Sequence, residues 1–215
     1  MTMEPHTESW RTKPTDRFVL KWIKLNLSAR ITPHLLDVEW LRPWMITLFS
    51  ASLGVLGGLV FALGWGWLAG TIAACAQVLD GVDGQFARYT GRQTREGAFW
   101  DSVLDRYADG SMAIGLVVYL FGLPGHPPAW VLLVLAFLAI AGSNLISYSS
   151  ARAESLGLDL GKPTLASKGT RTSVMILSAW GSLFVPMLPL AALVYLAVHP
   201  NLAVIARLTR TLPGR

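Results

Sequence analysis

Charge is scarce in this sequence: Asp, Glu, Lys and Arg make up 14% of its 215 residues, where a soluble domain carries about a quarter. The scarcity is local as well as general. Pro43–Leu79, Ser111–Ala151 and Thr172–Ala206 contain none of the four residue types. Cysteine is nearly absent, Cys75 standing alone in an apolar stretch, which excludes a disulfide framework and a thiolate metal centre. His6, His34, His126 and His199 are too scattered to form a ligand pattern. Residues 1–14 are polar and lack an apolar core segment, so no cleavable signal peptide is expected. The net charge of +5 comes without a basic stripe interleaved with aromatics, so nucleic acid is not an expected partner.

What is present is apolar length. Hydrophobic residues reach 53%, and each charge-free stretch runs to roughly 35–41 residues, where one bilayer crossing needs about 20. Each stretch is broken near its middle by turn-forming residues, "GWGW" at 64–67, "GLPGHPP" at 122–128 and "PMLP" at 186–189. The expected fold is an all-α integral membrane protein with six transmembrane helices at about 41–63, 67–89, 96–122, 128–153, 170–187 and 190–208. "TDRFVLKWIKLNLSARI" (15–31) mixes apolar and basic residues behind a helix-start signal at Thr15-Asp16, and reads as an interfacial amphipathic helix. The expected organisation is a cytoplasmic N-terminal segment at 1–40, a six-helix catalytic domain at 41–208 and a cytoplasmic tail at 209–215. None of the 18 Lys and Arg falls in the three turns. By the positive-inside rule, both termini of a multi-pass cell-membrane protein then face the cytoplasm.

Against this background "LDGVDGQFARYTGRQTREGAFWDSVLD" (79–105) is anomalous, with Asp80, Asp83, Asp101 and Asp105 inside helices expected to meet lipid. One aspartate at a span's centre costs about 2.5–3.5 kcal/mol, and less near its ends. At about 100° per residue, Asp83, Gly84, Ala87 and Arg88 lie within about 80° of Asp80, on one helix face. Gly97, Asp101 and Asp105 are successive i, i+4 positions on the next helix. Six linking residues make the two helices antiparallel neighbours, so these faces converge at one membrane surface, the cytoplasmic one. Oxygen-only ligands suit hard cations such as Mg²⁺ or Mn²⁺. Four carboxylates are enough for two such ions sharing a diphosphate. Gly84, Ala87 and Gly97 remove bulk beside the acids, and Arg88 offers a fork to phosphate. Tight packing of helices explains small residues equally well when they are taken alone. Asp109 continues the i, i+4 series and receives no role.

Asp80-x-x-Asp83-Gly84-x-x-Ala87-Arg88, eight residues, Gly97, three residues, Asp101, three residues, Asp105 resembles the signature of the CDP-alcohol phosphotransferase family. Its defining residues are matched at eight positions over 26. The resemblance implies an enzyme that joins the phosphate-linked alcohol of a CDP-alcohol to a second alcohol and releases CMP. It implies two divalent cations held by Asp80, Asp83, Asp101 and Asp105, with Asp105 also the general base. It implies a CDP site drawing on Thr47, Gly84, Ala87, Arg88, Thr94 and Gly97, and a homodimer. Thr47 belongs to "PWMIT" (43–47), where Trp44 replaces the polar residue usual in the family.

A second group, Arg152, Lys168 and Arg171, lies in "SYSSARAESLGL" (147–158) and "KPTLASKGTRTS" (162–173). As an anion pocket it would grip a phosphorylated acceptor; as topology it would only mark the cytoplasmic side. The first of these segments resembles the branch making phosphatidylinositol phosphate or di-inositol phosphates, and "KPTDRF" (13–18) resembles the latter enzymes. The implied donor is a CDP-diacylglycerol-like or CDP-inositol molecule, and the implied acceptor an inositol phosphate. Glycerol phosphate and a neutral alcohol are the alternative acceptors. A cation transporter is the competing class, since intramembrane carboxylates also mark ion paths, but it would distribute acids through the membrane's depth.

Overall fold

The computed structural model describes residues 10–12, 18–160 and 167–211, and every regular element among them is helical. Thr15-Asp16, most of "KPTDRF" and the segment 161–166 lie outside the described residues. Two short helices, α1 (Phe18–Ile23) and α2 (Ala29–Leu35), flank a π-helical turn at Lys24–Ser28. Six longer ones follow: α3 (Pro43–Ala62), α4 (Gly66–Tyr89), α5 (Arg95–Phe121), α6 (Ala129–Ser155), α7 (Lys168–Gly181) and α8 (Leu188–Arg210).

Local chemistry sets the boundaries. Pro43 opens α3 at its first turn, where its missing N–H leaves no bond unmade. Gly91, at φ 66°, turns the chain out of α4, a conformation that disfavours residues bearing a Cβ. Thr94 caps α5, its hydroxyl accepting the Gly97 N–H at 2.9 Å. The expected span 170–187 is shortened, because α7 stops at Gly181 and the chain passes through turns before α8. A Cβ on Gly181 would lie 2.2 Å from Leu188 Cδ2, so the start of α8 folds back onto the end of α7.

α3 packs against both α4 and α5, α4 against α7, and α6 against α8. Lipid offers little hydrophobic drive between helices, so close backbone approach and van der Waals contact carry much of the association. Gly58 and Gly115 show this where α3 meets α5: a Cβ on Gly115 would lie 2.0 Å from the Gly58 carbonyl oxygen. Phe61, Leu116, Leu120, Leu132, Leu193 and Leu196 fill the interior of the bundle.

The outer surface is apolar, with Leu59, Leu63, Phe137, Val198 and Ile205 exposed. Among the described helices, α3, α6 and α8 are long and apolar enough to cross a membrane. α4 and α5 have the length but carry the aspartates, and α7 has only 14 residues.

The segment before α3 is helical from Phe18 to Leu35, with the π turn in its middle. Ser28 and Thr32 are buried and Lys24 nearly so, while Val19, Trp22, Leu27 and Ile31 are exposed. Its polar side meets the bundle: Ser28 Oγ donates to the Val78 carbonyl of α4 at 2.7 Å.

Candidate active site

The direct pairing of α4 with α5 expected across 90–95 gives way to packing of both helices against α3, and it is their acidic side chains that meet at one end of the bundle. Asp80, Asp101 and Asp105 each present a carboxylate oxygen, all within 4.8 Å of one another. Three anions so close repel strongly unless cations intervene. One cationic group is there: Lys168 Nζ, from the first turn of α7, donates to Asp80 Oδ1 at 2.8 Å and also to Asp105 Oδ1. The donor set is all oxygen and anionic, which fits a hard divalent cation.

Asp83 stands outside that trio. It is buried, and the Thr47 hydroxyl of α3 donates to its Oδ2 at 2.6 Å. Thr47 and Asp83 therefore link the helix that opens the bundle to the helix that carries the signature.

A cavity of about 650 Å³ opens beside these acids. Its walls include all six residues implicated in holding CDP, namely Thr47, Gly84, Ala87, Arg88, Thr94 and Gly97, together with Asp83 and Asp101. Gly84 is open towards this space. A Cβ there would meet only the Arg88 guanidinium, at 3.2 Å and beyond, unlike Gly58 and Gly115, where it would strike backbone. Trp44, Arg42, Arg92 and Trp100 complete much of the rim, giving the cavity basic and aromatic groups as well as acids.

The three basic residues of the second group do not converge. Lys168 sits among the aspartates. Arg171, one turn further along α7, is 1% exposed and its Nη2 donates to Asp109 Oδ2 at 3.3 Å. Arg152 is exposed on the last turn of α6. Two arginines that sequence reasoning passed over lie nearer the interior. Arg106 Nη1 on α5 donates to Ser147 Oγ at 2.5 Å, and its Nη2 lies 3.6 Å from Asp105 and 3.8 Å from Asp109. Arg207 on α8 donates to the Ile146 carbonyl and to Ser149 Oγ, each at 2.6 Å. The available signal for Arg106 and Asp109 was their charge inside a long helix, flanking the i, i+4 series.

The family model for CDP-alcohol phosphatidyltransferases matches residues 40–207. The chain belongs to this family. A curated relative, the bifunctional IPC transferase and DIPP synthase of Aquifex aeolicus, is 34% identical over 137 residues. That match covers 64% of this chain and 30% of the relative, so the chain spans under a third of that protein. The phosphatidylinositol phosphate synthase of Mycolicibacterium smegmatis is 32% identical over 183 residues, covering 81% of this chain and 80% of the relative. Crystal structures of the Mycobacterium tuberculosis phosphatidylinositol phosphate synthase are also similar. One with CDP-DAG bound superposes with a TM-score of 0.74 at 28% identity, covering 87% of this chain and 96% of that one. Another, in complex with manganese and citrate, gives a TM-score of 0.75.

Proposed function

We propose that this chain transfers the phosphate-linked alcohol of a CDP-alcohol to the hydroxyl of a polyol phosphate, with an inositol phosphate as the favoured acceptor. The observation that carries this reading is the cavity itself: the six residues that the family resemblance implies for the nucleotide line one space, beside Asp83 and Asp101. The relatives named for phosphatidylinositol phosphate synthesis support the acceptor class.

In this reading Asp80, Asp83, Asp101 and Asp105 hold two divalent cations, Mg²⁺ or Mn²⁺, whose chemistry is to neutralise the diphosphate and the charge of the departing CMP. Thr47 keeps Asp83 oriented through its hydroxyl. Gly84, Ala87 and Gly97 leave room for the donor against the helix backbones, while Arg88 and Thr94 supply polar contacts. Asp105 takes the proton of the acceptor hydroxyl, whose oxygen forms a bond to the β-phosphorus. The bond from that phosphorus to the α–β bridging oxygen breaks, and CMP leaves with the bridging oxygen. Of the three basic residues, Lys168 stands beside the acids and supplies a cationic group to the acceptor phosphate. Holding the two substrates in line contributes much of the acceleration.

The setting proposed with this chemistry is six membrane spans over 41–208, preceded by an interfacial segment within 1–40 and followed by a tail at 209–215. Both termini and the active site face the cytoplasm, and two copies associate. Exposed apolar residues on the long helices and on Val19, Trp22, Leu27 and Ile31 support the membrane placement.

The test is an acceptor panel. Purified protein with Mg²⁺ and radiolabelled CDP-diacylglycerol is offered inositol phosphate, glycerol phosphate, free inositol or no acceptor, and CMP release and product mass are recorded. A phosphodiester product with inositol phosphate, at a kcat/KM at least tenfold above the others, is the expected result. Preference for a neutral alcohol would overturn the phosphorylated-acceptor assignment.

A further inference from the structure

Arg88 reaches the cavity from the last turn of α4, and what fixes its guanidinium comes from the opposite end of the chain. Arg88 Nε donates to the Trp10 carbonyl at 2.8 Å. Three residues earlier on the same helix, the Gln85 amide donates to the next carbonyl, that of Arg11, at 2.8 Å. The Trp10 ring lies edge-on to Tyr89, with centroids 5.5 Å apart, and the Arg11 guanidinium lies 5.4 Å from the Trp10 ring centroid. Two consecutive backbone carbonyls and one aromatic ring thus meet Gln85, Arg88 and Tyr89 at the cytoplasmic end of α4.

The anchorage beneath is firm. Gln85 is fully buried, and its amide also donates to the Lys24 carbonyl at 2.9 Å while its oxygen accepts the Thr32 hydroxyl at 2.8 Å. The segment 10–12 is therefore tied through one side chain to the π-helical turn and to α2. Arg88 lines the cavity, whereas Trp10 and Arg11 are not among its walls. The N-terminal contact is therefore to the guanidinium and not to the cavity space. A guanidinium bears its donors in a fixed plane. A bond at Nε leaves the terminal nitrogens directed along one orientation and cuts the rotamer freedom lost on binding.

We propose that Trp10 and Arg11 form a positioning strap that presets Arg88 for the phosphate of a cytidine nucleotide. Trp10 acts as the ring that pins the strap to Tyr89, and the carbonyls of Trp10 and Arg11 as the acceptors. The contacts that tie the strap to α4 go to Gln85, Arg88 and Tyr89, so its effect is expected on the nucleotide. This inference rests on the reading of the cavity as the CDP site.

The experiment measures CMP affinity by calorimetry in Mg²⁺, and donor KM, acceptor KM and kcat by CMP release. It uses the full chain and the variants Trp10→Ala, Trp10→Phe, Arg88→Gln and Trp10→Ala/Arg88→Gln. Trp10→Ala is expected to raise the CMP Kd and donor KM about fivefold to tenfold, with acceptor KM and kcat within twofold. Trp10→Phe is expected to restore most of the loss. The double variant is expected to bind CMP no more weakly than Arg88→Gln alone, because the strap acts through that side chain. Additive losses in the double variant, or unchanged CMP affinity in Trp10→Ala, would overturn the strap. Unchanged CMP affinity in Arg88→Gln would instead overturn the nucleotide reading of the cavity. A variant that fails to yield protein is replaced by Tyr89→Leu, which removes the same ring contact from the other side and carries the same expectations.

Discussion

Lys168 Nζ on α7 stands 2.8 Å from Asp80 Oδ1 on α4, and the same ammonium bonds Asp105 on α5. One lysine therefore bridges three helices at the carboxylates proposed to hold metal. An ammonium there and a divalent ion there are alternatives for the same negative charge. Replacing it with the isosteric but neutral Met is expected to lower the thermal midpoint of the metal-free protein. The Mg²⁺-induced rise in that midpoint is expected to exceed that of the wild type, since a ligand binding only the folded state stabilises it according to its affinity. Equal rises in Lys168→Met and wild type would show that the ammonium does not compete with the ion.

The Thr47 hydroxyl is the neutral partner of buried Asp83. Losing a hydrogen bond to a charged group costs about 1.5–3 kcal/mol. Thr47→Val is expected to lower kcat/KM for the donor about tenfold to a hundredfold with helix content intact by circular dichroism. A change under twofold would remove Thr47 from the site.

Gly84 and Gly115 differ in what a side chain would strike, and so in what a substitution would do. At Gly84 the nearest atoms a Cβ would meet belong to the Arg88 guanidinium, not to backbone. Gly84→Leu is expected to yield folded, membrane-inserted protein whose donor KM is raised at least a hundredfold. At Gly115 the obstacle is the Gly58 backbone, so Gly115→Leu is expected to reduce folded yield sharply. Size-exclusion profiles and donor kinetics separate the two, and an unchanged donor KM in Gly84→Leu would assign that glycine to packing.

Orientation is open to cysteine labelling in a Cys75→Ser background. Trp65→Cys and Phe184→Cys, both exposed at hairpin turns, are expected to react with a membrane-impermeant thiol reagent from outside. Arg95→Cys and Leu158→Cys, exposed at the other end, are expected to react only after the cytoplasmic face is opened. The reverse pattern would invert the proposed topology.

The helices were legible because each charge-free stretch is long and broken once by Gly or Pro, signals that act within a few residues. The aspartate faces were legible because i, i+4 spacing converts directly to one side of a helix, and the trio Asp80, Asp101 and Asp105 meets as that geometry requires. What escaped depends on contacts between distant segments. Lys168 meets acids 63 and 88 positions away, and Arg171 turns inward to Asp109 across 62. Neither follows from local pattern, so in sequence both read as part of an acceptor-phosphate pocket, with membrane topology as the alternative. The close packing of Leu188 over Gly181, where α8 returns onto the end of α7, is likewise a contact between elements. The polar inward face of the N-terminal helices escaped for a different reason: next to lipid, the apolar side can be the outer one.

If the four aspartates drive transfer from a CDP-alcohol, CMP formed per donor consumed, in wild type and Asp105→Asn, with and without Mg²⁺, reads it most directly. The expected result is one CMP for each phosphodiester product in wild type, none without a divalent ion, and a rate reduced at least a thousandfold in Asp105→Asn. Metal-independent turnover, or near-wild-type turnover by Asp105→Asn, would contradict it.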